Sequence, residues 1–142
     1  MVNEMLNGIS NQLYDEFGDG YKYYVENVEQ KLSKPCFTID SLTPLQRSRS
    51  RVLYDRTIPV VVHYFTSEKE LTKKDCYEKA ELIVNALEYV PFHGALIRGE
   101  DISWKIVDDV LQVFVTYRFI TKKVTSNEDD MDTVSFNTVP IN

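Results

Sequence analysis

The sequence predicts an α+β fold: a mixed, mainly antiparallel sheet with two flanking helices, in the order α-β-β-β-α-β-β-β, and a projecting β-hairpin. Three observations predict it. Val2, Met5, Leu6, Ile9, Leu13 and Phe17, and later Cys76, Ala80, Ile83, Val84 and Leu87, recur at spacings of three and four, the stripe of a helix laid on a core. Between them Val52, Tyr54, Ile58, Val60, Val62 and Tyr64 alternate, interrupted on that face by Arg56, as one face of a β-strand does. Finally, if Asp108-Asp109 is a two-residue turn, Ile106 faces Leu111, Trp104 faces Val113 and Ile102 faces Val115. A slip of one residue would turn one apolar set away from the other.

The 142 residues, 43% hydrophobic and 27% charged, suit one domain around one core. The expected division is a domain over residues 1–124 and an acidic, flexible tail over 125–142. No stretch has the apolar length of a membrane span, and Met1 to Phe17 carries the polar interruptions of a surface helix and not the features of a signal peptide. The reading is therefore of a soluble chain with no membrane partner. Cys36 and Cys76 make no disulfide framework and are expected as reduced, buried thiols. Glu128, Asp129, Asp130 and Asp132 supply four negatives to a net charge of −6 and leave −2 on the rest, no sign of a nucleic-acid-binding surface.

In chain order, the first helix runs from Val2 to Phe17 and stops at Gly18-Asp19-Gly20. Lys22 to Val28 and Pro35 to Leu42 read as strands with a turn at Lys31 to Lys34. Thr43 to Arg51 is a polar connection holding Arg47, Arg49 and Arg51, which share one side if the segment is extended. The long strand to Phe65 would extend about 45 Å at about 3.3 Å per residue, more than the roughly 35–40 Å breadth of a compact domain this size. Part of it should project, with a bulge or unpaired edge at Pro59. Thr66 to Leu71 is polar, and Thr72 with Asp75 matches a capping box opening the second helix, which ends before Pro91. Ala95 to Arg98 adds a short strand before the hairpin, with Trp104 in the core and Tyr117 and Phe119 extending its inner face. Thr133 to Ile141 is weakly β-prone, and against a neighbouring subunit it would add a strand.

The sequence offers little for catalysis. His63 falls in a strand and His93 in a turn, and no spacing ties either to Cys36 or Cys76 as a nucleophile pair or zinc set. Asp108 and Asp109 are read as turn residues before acid–base partners, and no glycine-rich nucleotide loop is present. No cofactor and no enzymatic activity are expected. For the arginine run two readings stay open: a solvated loop or hairpin tip, or a contact for an acidic neighbour or phosphate. Within the second, a contact between subunits is favoured over DNA, because no aromatic platform or second basic patch accompanies it.

Short matches along the chain resemble the phage tail terminator proteins of tailed phages and prophages of Gram-positive bacteria. They are Leu6-Asn7-Gly8-Ile9, Phe17-Gly18-Asp19-Gly20-Tyr21, Glu26-Asn27-Val28-Glu29-Gln30 and Pro35-Cys36-Phe37, then His63-Tyr64-Phe65, Ala86-Leu87-Glu88-Tyr89, Leu96-Ile97-Arg98-Gly99 and Val107-Asp108-Asp109-Val110-Leu111. Together they span about Met1 to Lys123. Asp109 departs from the Gly expected after Asp108, which bears on the turn type. The resemblance implies a structural protein of the virion's tail–neck junction, assembled in the host cytoplasm. It implies a ring, usually a hexamer, that caps the tail tube, ends its polymerisation and joins a head-connector or head-completion protein. DNA would be passing cargo. On this reading Arg47, Arg49, Arg51, Tyr54 and Arg56 lie at an interface. The alternatives are another neck component, head-completion or tail-adaptor, and a small ligand-binding α+β domain.

Overall fold

The computed structural model describes residues 1–26, 32–66, 72–125 and 132–137, with residues 72, 124–125 and 132–137 described by backbone alone. Two helices, α1 (Val2–Phe17) and α2 (Thr72–Leu87), lie with a sheet of eight strands: β1 (Lys22–Val25), β2 (Cys36–Ser41), β3 (Leu45–Ser48), β4 (Leu53–Phe65), β5 (Tyr89–Phe92), β6 (Ala95–Val107), β7 (Val110–Thr125) and β8 (Asp132–Asn137). The sheet order is β1-β2-β4-β7-β6-β5, with β3 added to β4 and β8 to β7. Among the described strands only β1 and β2 pair in parallel, so the expected mixed, mainly antiparallel α+β class holds.

Both helices form where the apolar stripes place them. Met5, Leu6, Ile9 and Leu13 of α1 and Cys76, Ala80, Ile83 and Leu87 of α2 are fully buried against Ile58, Val60, Val62, Leu111, Val113, Val115 and Tyr117 of the central strands. At the C-terminus of α1 Gly18 takes φ 79° and returns its N–H to the Tyr14 carbonyl, a geometry that suits a residue without Cβ. Phe37 sits at the centre of an aromatic group with Phe17, Tyr21, Tyr23 and Tyr64, Tyr23 stacking on it at 5.5 Å. Burial there pushes the Tyr23 phenol up to about 12. The Tyr64 hydroxyl donates to the Asp75 carboxylate at 2.8 Å, tying β4 to the first turn of α2. Asp75 is thereby turned to the sheet, and the capping role read for Thr72 rests on a side chain outside the description.

The hairpin register is as the apolar pairs predict for Ile106 with Leu111 and Trp104 with Val113. Asp108 and Asp109 have φ 51° and 62°, the two left-handed residues of a type I′ turn, which settles the turn type without glycine. The third pair, Ile102 with Val115, gives way to a bulge. Between Ser103↔Phe114 and Glu100↔Thr116 both Asp101 and Ile102 stand opposite Val115, and Asp101 takes φ 53°. Beyond the bulge β6 continues to Ala95, so the expected short strand and the hairpin arm are one strand.

Several expectations are corrected. Leu45–Ser48, read as a connection, pairs with β4, because the chain reverses over Arg49 to Val52 and the Ser50 hydroxyl accepts the Leu53 N–H at 3.2 Å. The second helix, expected to run up to Pro91, ends at Leu87, and Tyr89–Phe92 is a strand joined to β6 through His93-Gly94, both at positive φ. Asp132–Asn137, within the stretch read as a tail, pairs with the end of β7 of its own chain. Lys22 to Val28 is strand only to Val25, since Glu26 takes φ 50°, and Asn27 and Val28 lie outside the described residues, as do Lys31 of the expected turn and residues 67–71 of the polar connection. Of the two expectations for Pro59 the unpaired edge holds and the bulge does not: β4 pairs with β7 without interruption from Leu53 to Phe65, and on its outer edge Pro59 falls between the β3 and β2 pairings. Its carbonyl accepts the Leu42 N–H at 2.8 Å on the outer edge, where β3 has ended at Leu45↔Thr57 and β2 begins at Ser41↔Val60. The residue without a donor falls in the gap between two partner strands. Trp104 is not core. It is 38% exposed and leans on Tyr77 of α2 at 5.4 Å, because it lies near the turn, past the end of the helix contact.

The end of α2 is closed by β6 and β7. The buried Tyr117 hydroxyl donates to the Leu87 carbonyl at 2.7 Å, and the Gly99 N–H donates to the Glu88 carbonyl at 2.7 Å. A Cβ on Gly99 would lie 2.6 Å from the Leu87 oxygen and 2.7 Å from Val115 Cγ2. We expect Tyr117→Phe to lower the unfolding free energy by about 1–2 kcal/mol through the stranded carbonyl, and Gly99→Ala by about 1–3 kcal/mol through overpacking. Chemical denaturation measures both; an unchanged midpoint for Gly99→Ala would show that β6 yields freely at this contact.

Candidate functional site

The ladder between β4 and β7 is longer than the body that covers it. The buried cluster under the helices ends at Ile58 and Phe119, β2 leaves β4 at Val60, and β6 leaves β7 at Gly99↔Tyr117. Past that level the ladder runs on, flanked by β3 on one side and β8 on the other. The result is a four-stranded arm, β3-β4-β7-β8, broader than the expected hairpin. All four residues of β3 are exposed, and among the described residues the outer edges of β3 and β8 have no strand partner. Open edges of this kind are templates for another chain.

Leu45, Arg47, Arg49, Asp55, Arg56, Thr57 and Arg118 line an open groove of about 370 Å³ on the arm, with Arg47, Asp55, Thr57 and Arg118 on the face of the sheet away from the helices and Arg56 on the other. Arg49 grips Asp55 with two nitrogens, at 3.0 and 3.3 Å, and Arg118 reaches Glu100 and Asp101, each at 3.0 Å. Both pairs are largely solvated and contribute little to stability. Arg56 donates to the neutral Gln46 side chain, and Arg47 has no carboxylate partner among the described residues. Arg47 is thus the cation on the outer face without a counter-charge among the described residues, while Arg56 lies with Gln46 on the opposite face.

Of the residues singled out from sequence, Arg47, Arg49 and Arg56 meet here. Arg51 sits exposed at the tip between β3 and β4, and Tyr54 is a half-buried strand residue between Ser48 and Thr121. The three arginines at spacing two do not share one side, because the chain is extended at Arg47 alone and turns at Arg49. Arg118 escaped the reading although it interrupts the apolar run from Phe114 to Ile120. Its partners are set by pairing across the sheet, with Thr57, which sequence spacing does not report.

The fold also supplies the second basic group that the linear sequence lacks. Arg118, Lys122 and Lys123 of β7 lie alongside the β3–β4 arginines, so residues 45–57 and 118–125 carry seven Lys or Arg and one acid, Asp55. With −6 on the whole chain, the rest bears −12. The near-neutral body expected from the bulk count is therefore a basic arm on an acidic remainder.

Elsewhere the chemistry is sparse. Cys36 and Cys76 are free and buried, and burial pushes both thiols up, away from reactivity. Among the described residues no group of His, Cys, Asp and Glu is arranged to hold a metal ion, and no helix is long and apolar enough to cross a membrane. His93 Nε2 lies against the Glu4 carboxylate of α1. His63 lies on the helix-free face between Thr38 and Gln112, its ring near Phe65 at 6.3 Å, and its buried Nδ1 has no partner among the described residues.

Residues 4–130 match the family model described as phage tail terminator protein. The chain belongs to the phage tail terminator family. It is a structural protein of the phage tail, and its place is the virion. A comparison with curated proteins returned no match. One solved structure aligns with 85% of this chain and 94% of its own at 14% identity and a TM-score of 0.42, a likeness too loose to carry weight. The terminator's match takes in nearly the whole sheet, arm strands β3, β4 and β7 included.

Burial lowers the His63 pKa, against the opposing pull of Asp40. A histidine depressed in the folded state leaves stability intact above its unfolded value of about 6.5 and loses it as pH falls below that, because the unfolded chain takes up a proton that the folded chain refuses. We expect His63→Gln to flatten the loss of stability between about pH 7 and pH 5 relative to the parent chain. Denaturation midpoints at a series of pH values measure it, and parallel profiles for the two proteins would show that His63 does not contribute.

Proposed function

We propose that this terminator assembles as a ring, most simply a hexamer, which caps the growing tail tube, ends its polymerisation and offers the surface that joins the head-connector or head-completion protein. The observation that carries the reading beyond family membership is the arm. A monomer would leave two unpaired strand edges and a basic groove in water, whereas a neighbouring copy would cover them. On this reading Arg47, Arg49, Arg51, Tyr54 and Arg56 lie at or beside the contact between subunits. The acidic remainder of the chain favours a lumen that repels phosphate and lets DNA pass as cargo. The host during assembly is a bacterium, and the Gram-positive assignment rests on the sequence resemblance.

Light scattering over a concentration series, with negative-stain imaging of the protein alone and mixed with purified tail tubes, tests it. Closed rings and density on one end of the tubes are expected, and tubes grown with the protein present should stop at a uniform length. A chain that stays monomeric at every concentration and ignores tube ends would overturn the reading.

A further inference from the structure

The two faces of the sheet are covered unequally. Both helices lie on one, over Ile58, Val60, Val62, Leu111, Val113 and Val115, and among the described residues no helix lies on the other. Strand pairing sets what this open face presents. An apolar row of Cys36, Phe65, Val110 and Val107 crosses β2, β4, β7 and β6, with Lys22 at its β1 end, and the neighbours Val61 and Phe114 add to it four residues further along. Phe65, Val110 and Phe114 are half-buried and Val107 is 40% exposed. Apolar area of this kind with no layer above it marks a contact surface. Lys34 lies over the Phe65 ring at 6.0 Å and Lys105 over the Phe114 ring at 5.4 Å. Neither they nor Lys22 make a salt bridge among the described residues. The helix layer has the opposite sign. Residues 1–20 carry four acids and no Lys or Arg, and α2 has its exposed lysines, Lys73 and Lys74, in the first turn. Outside their buried stripes the two helices expose Tyr14, Tyr77 and Leu82 beside Asp15, Glu78 and Glu81, and these acids make no salt bridge among the described residues. Asp15 stands in the last turn of α1, which has no basic residue, so its charge opposes the negative end of the helix dipole. A cation brought from outside the chain would relieve it.

Resting on the ring reading above, we propose that the open sheet face of one copy is covered by the acidic helix layer of the next. The two surfaces match in both respects. Tyr14, Tyr77 and Leu82 bring exposed apolar area to Phe65, Phe114 and Val107, while Asp15, Glu78 and Glu81 bring carboxylates to Lys22, Lys34 and Lys105. The open face also continues without a break into the outer face of the arm, where Arg47 stands opposite Asp55 with no carboxylate of its own, so the contact runs on into the surface that the ring reading puts between subunits. Two open faces laid together would instead set these lysines against their own kind, which disfavours a symmetric pair. A contact between different patches on the two copies repeats head to tail and closes a ring when the rotation allows. Charge sets part of its register, which makes assembly sensitive to salt.

Two full-length double variants test this. Lys34→Glu with Lys105→Glu reverses the charge of the open face, and Asp15→Lys with Glu81→Lys reverses that of the helix layer; all four positions are exposed. Each variant alone brings like charges together and is expected to weaken self-association at least ~10-fold by light scattering at low salt. The helix-layer variant should do so with a melting temperature no lower than the parent's, compared at concentrations where both are monomeric, since Asp15→Lys puts a cation at the C-terminal end of α1. A merely structural role would lower stability and association together. Mixed in equal amounts the two variants should assemble again, as alternating copies in which every open face meets a helix layer of opposite charge. Lys105→Glu alone provides the readout if the open-face double variant misfolds. Folded variants that assemble like the parent, or a mixture that stays dissociated, would overturn the proposal while leaving a ring formed by the parent intact. Variants that assemble like the parent but no longer bind tube ends would overturn it in favour of a tube surface as the occupant. A parent chain that never self-associates would remove both the ring reading and this contact.

Discussion

The structure depends on the thirteen-residue ladder between β4 and β7. Every other strand but β1 and β5 is attached directly to one of these two, and each outer edge is shared by two strands in succession: β3 then β2 along β4, and β6 then β8 along β7. The inner half of the ladder is apolar toward the helices and makes the core. The outer half carries Arg56 and Thr121 on that face and has no helix to bury. A strand pair longer than its domain must leave part of itself outside, and backbone hydrogen bonding within the four-stranded arm is what keeps that part ordered without a core of its own.

Two local devices allow one ladder to serve both halves. Pro59 lies where the outer edge of β4 passes from one partner strand to the next, so its missing donor costs no cross-strand bond. The bulge at Asp101 and Ile102 changes the register just before β6 leaves β7 and brings Gly99 under the end of α2. Charge follows the same division. Cations from two stretches some sixty residues apart in sequence gather on the arm, while the acids remain on the body and in the β7–β8 connection.

Among the described residues this tail component offers little chemistry. Burial pushes both thiols up, His63 lies on a sheet face with its Nδ1 unpartnered among the described residues, His93 lies against Glu4 at a turn, and the groove on the arm is lined largely by arginines.

The sequence by itself determined both helices with their buried faces, the alternation of the long strand, the turn at Asp108-Asp109 with two of its three apolar pairs, and, through matches scattered along the chain, the family. These are local matters: periodicity and turn chemistry are written into neighbouring residues. Tertiary structure decided that Leu45–Ser48 and Tyr89–Phe92 would be strands, and that the weakly β-prone stretch from Thr133 would pair with β7 of its own chain, since short segments become strands when a partner edge is at hand. It also decided that Trp104 would sit at the rim and that Arg118 would join Arg47, Arg49 and Arg56. Which residues share a groove depends on strand pairing across the sheet, and pairing between distant segments leaves no mark in the spacing of either one.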